Sequence, residues 1–373
     1  MSGPVETFRG AIFDGEVLHE DRSINIINRK IISFSAENDA PVVNLQGDIL
    51  APGFVDLQVN GGGGVNFNDD PSPETLRRIA EAHRGLGATS ILPTLITDRP
   101  EVTSRAIDAA IAACRDRVPG IAGLHLEGPH LSRARCGAHP PDLIRPMDDA
   151  DLADLCAAAA RLPCLLVTVA PEGVSVAQVS AMARAGIVVM LGHSDCDGAR
   201  AARYFAAGAQ GVTHLFNAMS QMTARAPGLV GAALSAGVWC GLIADGVHVA
   251  PMAMRVALAA NPRILLVSDA MAVAGTTLTE FHLGDRRVLR KNNELRLEDG
   301  TLAGADLDLA RAVSVLTSEA GDTLAGALAR VTSMPARLAG LEGGAGFLRP
   351  GDPFRAVRLR PGPEGLRVVE TYG

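Results

Sequence analysis

Three residues whose side chains commonly bind metal ions, Glu127, His193 and His214, each follow an apolar, strand-like segment. A carboxylate and two imidazoles are the ligand set of a catalytic zinc ion that keeps one position open for water. Because the three residues end separate strands, the pattern predicts one metal ion at the mouth of a parallel barrel, where such folds hold their chemistry. The apolar segments that precede them are residues 121–126, 187–192 and 208–213.

A single histidine in such a position is more often a satisfied core or loop residue. For the three residues together a metal site is favoured, because buried charge at strand ends needs a partner. His125 lies two residues before Glu127 and shares its face of the strand, so it could support a ligand; a core histidine is the favoured interpretation. Cys196 lies close to His193, but a buried thiol is favoured over a ligand.

Four further residues are candidates for catalysis or binding. Asp269 follows an apolar segment and is predicted to act as a general base, with a salt-bridged aspartate as the alternative. His139, in the loop after Glu127, could donate a hydrogen bond to a carbonyl oxygen as negative charge develops there. Arg225 and His248 could bind an anion. A solvated surface role fits each of His139, Arg225 and His248 equally well.

Eight apolar, strand-like segments alternate with alanine-rich segments that favour helices, which predicts a (β/α)₈ TIM-like barrel. Polar residues recur at the ends of these strands, as expected for a barrel active site. A helical segment is predicted near residues 305–340. The eight predicted strands lie near residues 53–59, 88–94, 121–127, 164–170, 187–193, 210–214, 240–245 and 264–269.

The two ends of the chain differ from the middle, because both consist of short β-branched or apolar segments separated by turn residues. We therefore expect a small β-sandwich domain built from both termini, residues 1–51 and 345–373. The barrel is expected to occupy residues 52–344.

Composition excludes several classes of protein. The net charge of −7 and an aromatic content of only 3% argue against a nucleic-acid-binding protein. The uncharged segment Ala226 to Ala244 contains a proline and several glycines, so it is interpreted as a helix and a buried strand rather than a membrane span. Six cysteines without a C-x-x-C pair, together with the polar segment Met1 to Gly10, predict a cytoplasmic protein with reduced thiols.

Six motifs in order give the chain a resemblance to a known family. Together they resemble the amidohydrolase superfamily and, within it, the N-acetylglucosamine-6-phosphate deacetylase family. The resemblance covers essentially the whole chain. The motifs are Ala51 to Asp56, Leu124 to Pro129, Gly192 to Ser194, Thr213 to Met219, Asp245 to His248 and Ser268 to Ala270.

The resemblance implies a homodimeric hydrolase that removes the acetyl group of N-acetyl-D-glucosamine 6-phosphate, giving D-glucosamine 6-phosphate and acetate. One divalent metal per chain is expected on Glu127, His193 and His214, with Zn²⁺ favoured over Fe²⁺ or Co²⁺. Asp269 and His139 are the implied catalytic residues. The implied substrate contacts are Ala138, His139, Asn217, Ala218, Arg225, Asp245, His248, Leu302, Ala303 and Gly304.

The chain departs from the family pattern in places. The first strand carries Gln58 and Asn60 where many amidohydrolases carry two histidines, which implies that a second metal site is lost. His130 stands where the family usually has an aromatic residue. Ala303 and Ala305 stand where residues with a hydroxyl group are common in the family. Two alternatives remain: an amidohydrolase that acts on another N-acetyl amino sugar or a cyclic amide, and a non-catalytic metal-binding barrel.

Overall fold

A computed structural model describes residues 5–35 and 42–373, and all structural statements below concern these residues. Their strands are β1 (Val5–Phe13), β2 (Leu18–Ile27), β3 (Lys30–Ser35), β4 (Val42–Pro52), β5 (Phe54–Val59), β6 (Gly61–Gly62), β7 (Val65–Asn66), β8 (Ala88–Ile96), β9 (Leu124–Glu127), β10 (Leu165–Val169), β11 (Val188–Leu191), β12 (Gly211–Val212), β13 (Trp239–Leu242), β14 (Ile264–Leu266), β15 (Glu280–Leu283), β16 (Arg286–Lys291), β17 (Glu294–Leu297), β18 (Ala356–Gly362) and β19 (Gly365–Tyr372).

The α-helices follow the predicted alanine-rich segments. Two of them, α3 (Asp149–Ala159) and α4 (Val176–Arg184), begin with capping boxes, in which Asp148 pairs with Asp151 and Ser175 with Gln178. The helices are α1 (Pro73–Gly85), α2 (Pro100–Arg115), α3 (Asp149–Ala159), α4 (Val176–Arg184), α5 (Gly198–Ala206), α6 (Gly228–Ala236), α7 (Pro251–Ala260), α8 (Leu309–Ser318), α9 (Leu324–Val331) and α10 (Ser333–Leu338).

Eight parallel strands form the barrel, in the order β14, β13, β12, β11, β10, β9, β8 and β5. The two outer strands meet through a parallel bridge between Val59 and Ala270. The amide of Asp269 donates to the carbonyl of Gln58 at 3.1 Å, and the amide of Asn60 donates to the carbonyl of Ala270 at 2.9 Å. The sheet therefore closes on itself immediately below Asp269, and the predicted barrel is confirmed.

The uncharged segment 226–244 forms helix α6 and strand β13, as the sequence predicts. Gly237, in the left-handed conformation with φ of 61°, ends the helix between them. Within the described ranges, every helix is too short or too polar to cross a membrane.

A six-stranded sheet joins both ends of the chain in the order β19, β18, β4, β1, β2 and β3. Asp48 on β4 accepts hydrogen bonds from Arg358 at 2.6 Å and from Arg360 at 2.7 Å, which ties the two ends together. This sheet confirms a β-rich domain built from both termini. Its boundaries at 51 and 345 remain a prediction, and residues 1–4 and 36–41 of the predicted domain lie outside the described residues.

Strands β15 to β17 form a three-stranded antiparallel sheet between the last barrel strand and α8. This sheet was not predicted from the sequence. Phe281, Val288 and Leu295 alternate with exposed residues and pack with Met271 and other residues beside the barrel mouth. This alternation of apolar and charged residues was the available signal. We call residues 280–297 the hairpin insertion. The helices predicted near 305–340 follow it as α8 to α10.

Candidate active site

The three predicted metal ligands converge at the carboxyl ends of β9, β11 and β12. The Nε2 atom of His214 lies 3.0 Å from Oε1 of Glu127, and Nε2 of His193 lies 3.3 Å from the same oxygen. The two Nε2 atoms are 3.1 Å apart. These three side chains are buried. Oε1 of Glu127 and the two Nε2 atoms therefore surround one buried position.

This triangle fits a divalent cation. Four ligands bound tetrahedrally at about 2.0 Å lie about 3.3 Å from one another, close to the three observed separations. His139 approaches the same point, with Nε2 3.7 Å from Oε2 of Glu127, and Glu127, His139 and His193 also form a group that can hold a metal ion. The shorter distances to His214 favour it over His139 as the third ligand.

The pKa of Glu127 reflects this cluster. Burial acts to raise the pKa of its carboxyl, but hydrogen bonds from His193 and His214 outweigh that effect and hold the pKa well below its ordinary value. Burial, assisted by the nearby His193, lowers the pKa of His139 well below its ordinary value, so its imidazole is neutral. The cluster therefore presents an ionised carboxylate and a neutral His139.

The tautomer of His139 follows from its contacts. Its Nδ1 atom accepts a hydrogen bond from the backbone amide of Thr97 at 3.2 Å and lies 2.8 Å from the hydroxyl of the same residue. A neutral imidazole with an acceptor at Nδ1 carries its proton at Nε2. The Nε2–H group of His139 therefore points toward Glu127 and the cavity.

Asp269 lies at the end of the eighth barrel strand, on the floor of the same cavity. Its Oδ1 atom accepts hydrogen bonds from Asn60 Nδ2 at 2.7 Å and from Gln58 Nε2 at 3.1 Å. Burial and the nearby Glu127 carboxylate raise the pKa of Asp269 to about 6. A carboxyl with that pKa can both take up and release a proton near neutral pH.

The backbone turns sharply where these residues sit. His193, His214 and Asp269 have φ values of 46°, 32° and 50°, in the left-handed region that non-glycine residues rarely adopt. Such a conformation costs free energy and persists where the surrounding structure imposes it. At three strand ends the chain leaves the barrel in this way and directs a functional side chain into the mouth.

The cavity above this cluster has a volume of about 360 Å³. Apart from Arg225 and Asp245, every predicted substrate contact lines it. Predicted contacts that line it are Ala138, His139, Asn217, Ala218, His248, Leu302, Ala303 and Gly304. Other residues of its wall were not predicted from the sequence, among them Ile96, Ile243, Met271, Leu283, Arg296 and Thr301.

The two predicted contacts outside the wall have different positions. Asp245 is buried and holds His248, because its Oδ2 lies 2.7 Å from Nδ1 of that histidine and its Oδ1 accepts the backbone amides of Val247 and His248. Arg225 is exposed in the segment before α6, outside the cavity wall of a single chain. Its predicted contact with an anion therefore remains a prediction.

The hairpin insertion contacts the loop that carries His139. Arg286 donates from Nη2 to the carbonyl of Ala138 at 2.6 Å, and Leu283 and Arg296 line the cavity. A segment more than 140 residues later in the sequence thus fixes one wall of the site.

Comparison with known proteins agrees with this geometry. The model of the amidohydrolase family matches residues 49–360. The chain belongs to the amidohydrolase family. An N-acetylgalactosamine-6-phosphate deacetylase of Shewanella sp. (strain ANA-3) is 42% identical over 311 residues, covering 83% of this chain and 78% of that protein. The human N-acetylglucosamine-6-phosphate deacetylase is 36% identical over 339 residues, covering 87% and 82%.

Solved structures are also similar over nearly the whole chain. The N-acetylglucosamine-6-phosphate deacetylase from Pasteurella multocida has a TM-score of 0.93 at 29% identity, covering 99% of this chain and 98% of that one. The N-acetyl-D-glucosamine-6-phosphate deacetylase from Mycobacterium smegmatis has a TM-score of 0.89 at 29% identity, with the same coverage.

Three residues near the site of this amidohydrolase have other partners. The ring nitrogens of His125 lie 3.1 Å from Thr94 Oγ1 and 2.8 Å from Thr168 Oγ1, and burial lowers its pKa to about 4. Nδ1 of His130 lies 3.2 Å from the carbonyl oxygen of Arg145. Burial raises the pKa of the Cys196 thiol to about 11, as expected for a thiol with a packing role.

Proposed function

We propose that the protein is a metal-dependent deacetylase that hydrolyses the acetamide of N-acetyl-D-glucosamine 6-phosphate to D-glucosamine 6-phosphate and acetate. The observation that carries the proposal is the triangle of Glu127, His193 and His214 with Asp269 on the floor of the same cavity. Relatives and solved structures named as deacetylases of N-acetylated amino-sugar phosphates support this substrate class.

Glu127, His193 and His214 are the proposed ligands of one divalent ion. Two imidazoles and a carboxylate suit zinc, and we propose Zn²⁺ ahead of Fe²⁺ or Co²⁺. When bound, such an ion lowers the pKa of a water molecule and polarises a carbonyl group. We also propose that the protein is cytoplasmic and forms a homodimer.

The remaining chemistry belongs to two side chains. Asp269, with a pKa of about 6, accepts the proton of the attacking water and later gives it to the departing amine. His139, neutral and protonated at Nε2, donates a hydrogen bond to the amide oxygen as negative charge develops on it. Both groups line the cavity that receives the sugar.

Substrate binding is assigned to the cavity wall and its rim. Asp245 fixes the ring of His248, since its Oδ2 lies 2.7 Å from Nδ1 of that histidine, and His248 is the first proposed phosphate contact. Arg225 is the second proposed phosphate contact. We also propose that the backbone near Asn217, Ala218 and residues 302–304 surrounds the sugar.

A second candidate substrate is N-acetylgalactosamine 6-phosphate, which differs only in the configuration at C4. Two relatives favour it, the Shewanella protein at 42% identity and a protein of Escherichia coli O157:H7 at 34% identity, both named N-acetylgalactosamine-6-phosphate deacetylase. The cavity chemistry serves either sugar, because the acetamide and the phosphate are common to both.

The test measures kcat/KM of the purified, metal-loaded protein for both sugar phosphates and for N-acetylglucosamine. We expect efficient release of acetate from N-acetylglucosamine 6-phosphate and much slower release from the unphosphorylated sugar. A higher kcat/KM for the galacto substrate would transfer the assignment to the second candidate. Absence of acetate release from every N-acetylated sugar phosphate would refute the proposal.

A further inference from the structure

Two amides of the first barrel strand hold the carboxyl group of Asp269. Asn60 Nδ2 and Gln58 Nε2 both donate to Oδ1 of Asp269, at 2.7 Å and 3.1 Å. Asn60 is 4% exposed and Gln58 is 2% exposed. Strand β5 pairs with β8 through backbone groups, so these two side chains are not required for strand pairing.

The backbone of the same two residues holds the backbone of the same aspartate. The carbonyl of Gln58 accepts the amide of Asp269, and the amide of Asn60 donates to the carbonyl of Ala270. Asp269 has a left-handed φ of 50°, which an unsupported aspartate seldom keeps. Gln58 on β5 and Asn60 directly after it therefore fix both the main chain and one carboxyl oxygen of Asp269.

The side-chain amide of Asn60 is oriented with its nitrogen toward Asp269. Among the described residues, Oδ1 of Asn60 is buried and has no hydrogen-bond partner. Leaving a buried acceptor unpaired is unfavourable, and the reverse orientation would place an oxygen against a carboxylate oxygen. The observed orientation keeps the hydrogen bond from Nδ2 to Asp269, although it leaves Oδ1 of Asn60 without a donor among the described residues.

Gln58 also connects the two carboxyl groups of the site. Its Nε2 atom lies 3.4 Å from both Oε1 and Oε2 of Glu127, in addition to its contact with Asp269. One neutral amide therefore stands between two acidic side chains, where it reduces their mutual repulsion without adding a full charge.

We propose that Asn60 and Gln58 are positioning residues for Asp269. By occupying Oδ1 with two donors, they leave Oδ2 as the oxygen that exchanges a proton with the reacting water and the departing amine. This inference rests on the proposed function, because it assigns the geometry of its general base.

The test compares Asn60→Leu, Asn60→Asp and Gln58→Met, which keep side-chain size but remove the donors. We expect kcat to fall roughly 10-fold or more in each while KM changes less than about 3-fold and the metal content is unchanged. Asn60→Asp should be worse than Asn60→Leu, because a carboxylate repels Asp269. A merely structural role predicts the opposite order, since the polar, isosteric aspartate is the milder change.

Asn261→Leu is the matched control. Asn261 is fully buried just before the amino-terminal end of the eighth barrel strand, whereas Asp269 follows the other end of that strand. Its Nδ2 donates to the carbonyl of Val238 at 2.7 Å. We expect this variant to lose thermal stability and to retain wild-type kcat. If it lowers kcat as much as the Asn60 variants do, the positioning role is refuted.

A second measurement does not depend on turnover. Urea midpoints of Asn60→Leu, Asp269→Asn and the double variant form a cycle that measures the coupling of the two side chains. Non-additive midpoints are expected, and additive ones would overturn the inference. If the wild type releases no acetate from any substrate, the proposed function fails, whereas this cycle still reports on the contact itself.

Discussion

The two acidic residues of the site have opposite pKa shifts. Contacts with His193 and His214 hold the pKa of Glu127 well below its ordinary value, whereas burial and the nearby Glu127 raise that of Asp269 to about 6. A pair of carboxyls separated in this way can divide its tasks: one stays ionised and binds a cation, and the other transfers protons. The chemistry of these two residues is thus decided by their neighbours.

Asp269→Asn tests the second task. The amide keeps the shape and a hydrogen-bonding oxygen but cannot accept the proton of water. We expect kcat to fall roughly 10²-fold or more, in line with general acid–base contributions. Elemental analysis should find the same metal content as in the wild type. Near-wild-type turnover in this variant would remove Asp269 from the mechanism.

At the scale of elements, the junction between β5 and β14 contains a second buried aspartate. Oδ1 of Asp56 accepts the backbone amides of Gln58 and Ser268, each at 3.2 Å, so one carboxyl spans the closing edge of the barrel. Burial raises the pKa of Asp56 to about 7. The folded barrel therefore favours the protonated form of this residue.

This shift predicts how stability depends on pH. Because the folded-state pKa of Asp56 is above its unfolded value, its contribution is fully present below about pH 4 and is lost as pH rises through about 7. Asp56→Asn mimics the protonated form, so its free energy of unfolding should fall less than that of the wild type between pH 4 and 8. The difference should be on the order of 2–4 kcal/mol, given about 1.4 kcal/mol per pKa unit.

Urea denaturation at both pH values measures the effect. Asp116→Asn is a suitable control, because Asp116 is exposed and pairs with its neighbour Arg115. A wild type and an Asp56→Asn variant with parallel pH profiles would contradict the prediction.

The hairpin insertion is a second element whose contribution can be isolated. Arg286 holds the carbonyl of Ala138 next to His139, so Arg286→Ala should loosen the loop that carries the oxyanion donor. Losing a charge-assisted hydrogen bond of about 1.5–3 kcal/mol predicts a decrease of roughly 10- to 150-fold in kcat/KM. Steady-state kinetics with Arg287→Ala provides the control, since Arg287 is exposed and pairs with Glu280. Equal effects of the two substitutions would argue against a specific contact.

For the whole molecule, the first strand predicts the number of metal ions. Gln58 and Asn60 cannot replace two imidazoles as strong ligands, and their amides are already engaged with Asp269. We expect one tightly held ion per chain, measured by elemental analysis after dialysis. Two ions per chain, both required for activity, would show that the first strand still binds a metal.

A substitution of Arg225 tests phosphate recognition. An Arg fork matches the oxygens of a phosphate, so Arg225→Ala should lower kcat/KM for the 6-phosphorylated sugar by roughly 30- to 150-fold, equivalent to about 2–3 kcal/mol. The slow reaction with N-acetylglucosamine should barely change. Equal losses on both substrates would indicate a folding defect or a role other than phosphate binding.

Much of this architecture is predictable from the sequence, because the apolar strands and the polar residues that end them are local features. Glu127, His193, His214 and Asp269 could be identified in that way. Arg296 and Arg286 could not, since nothing near them in sequence indicates that the hairpin insertion reaches the barrel mouth. The exposed position of Arg225 likewise depends on how the segment before α6 folds.

The pairing of β4 with β18 has a consequence for synthesis. Pro52 pairs with Ala356, so the two strands lie about 300 residues apart in the chain. At 5–20 residues per second, β4 leaves the ribosome roughly 15 to 60 s before its partner strand is made. During that interval β4 lacks one of its two neighbouring strands and is an edge strand of the sheet. An unpaired edge strand can pair with the wrong segment or with another chain. Chaperones that bind nascent chains would therefore be needed most before β18 and β19 are synthesised.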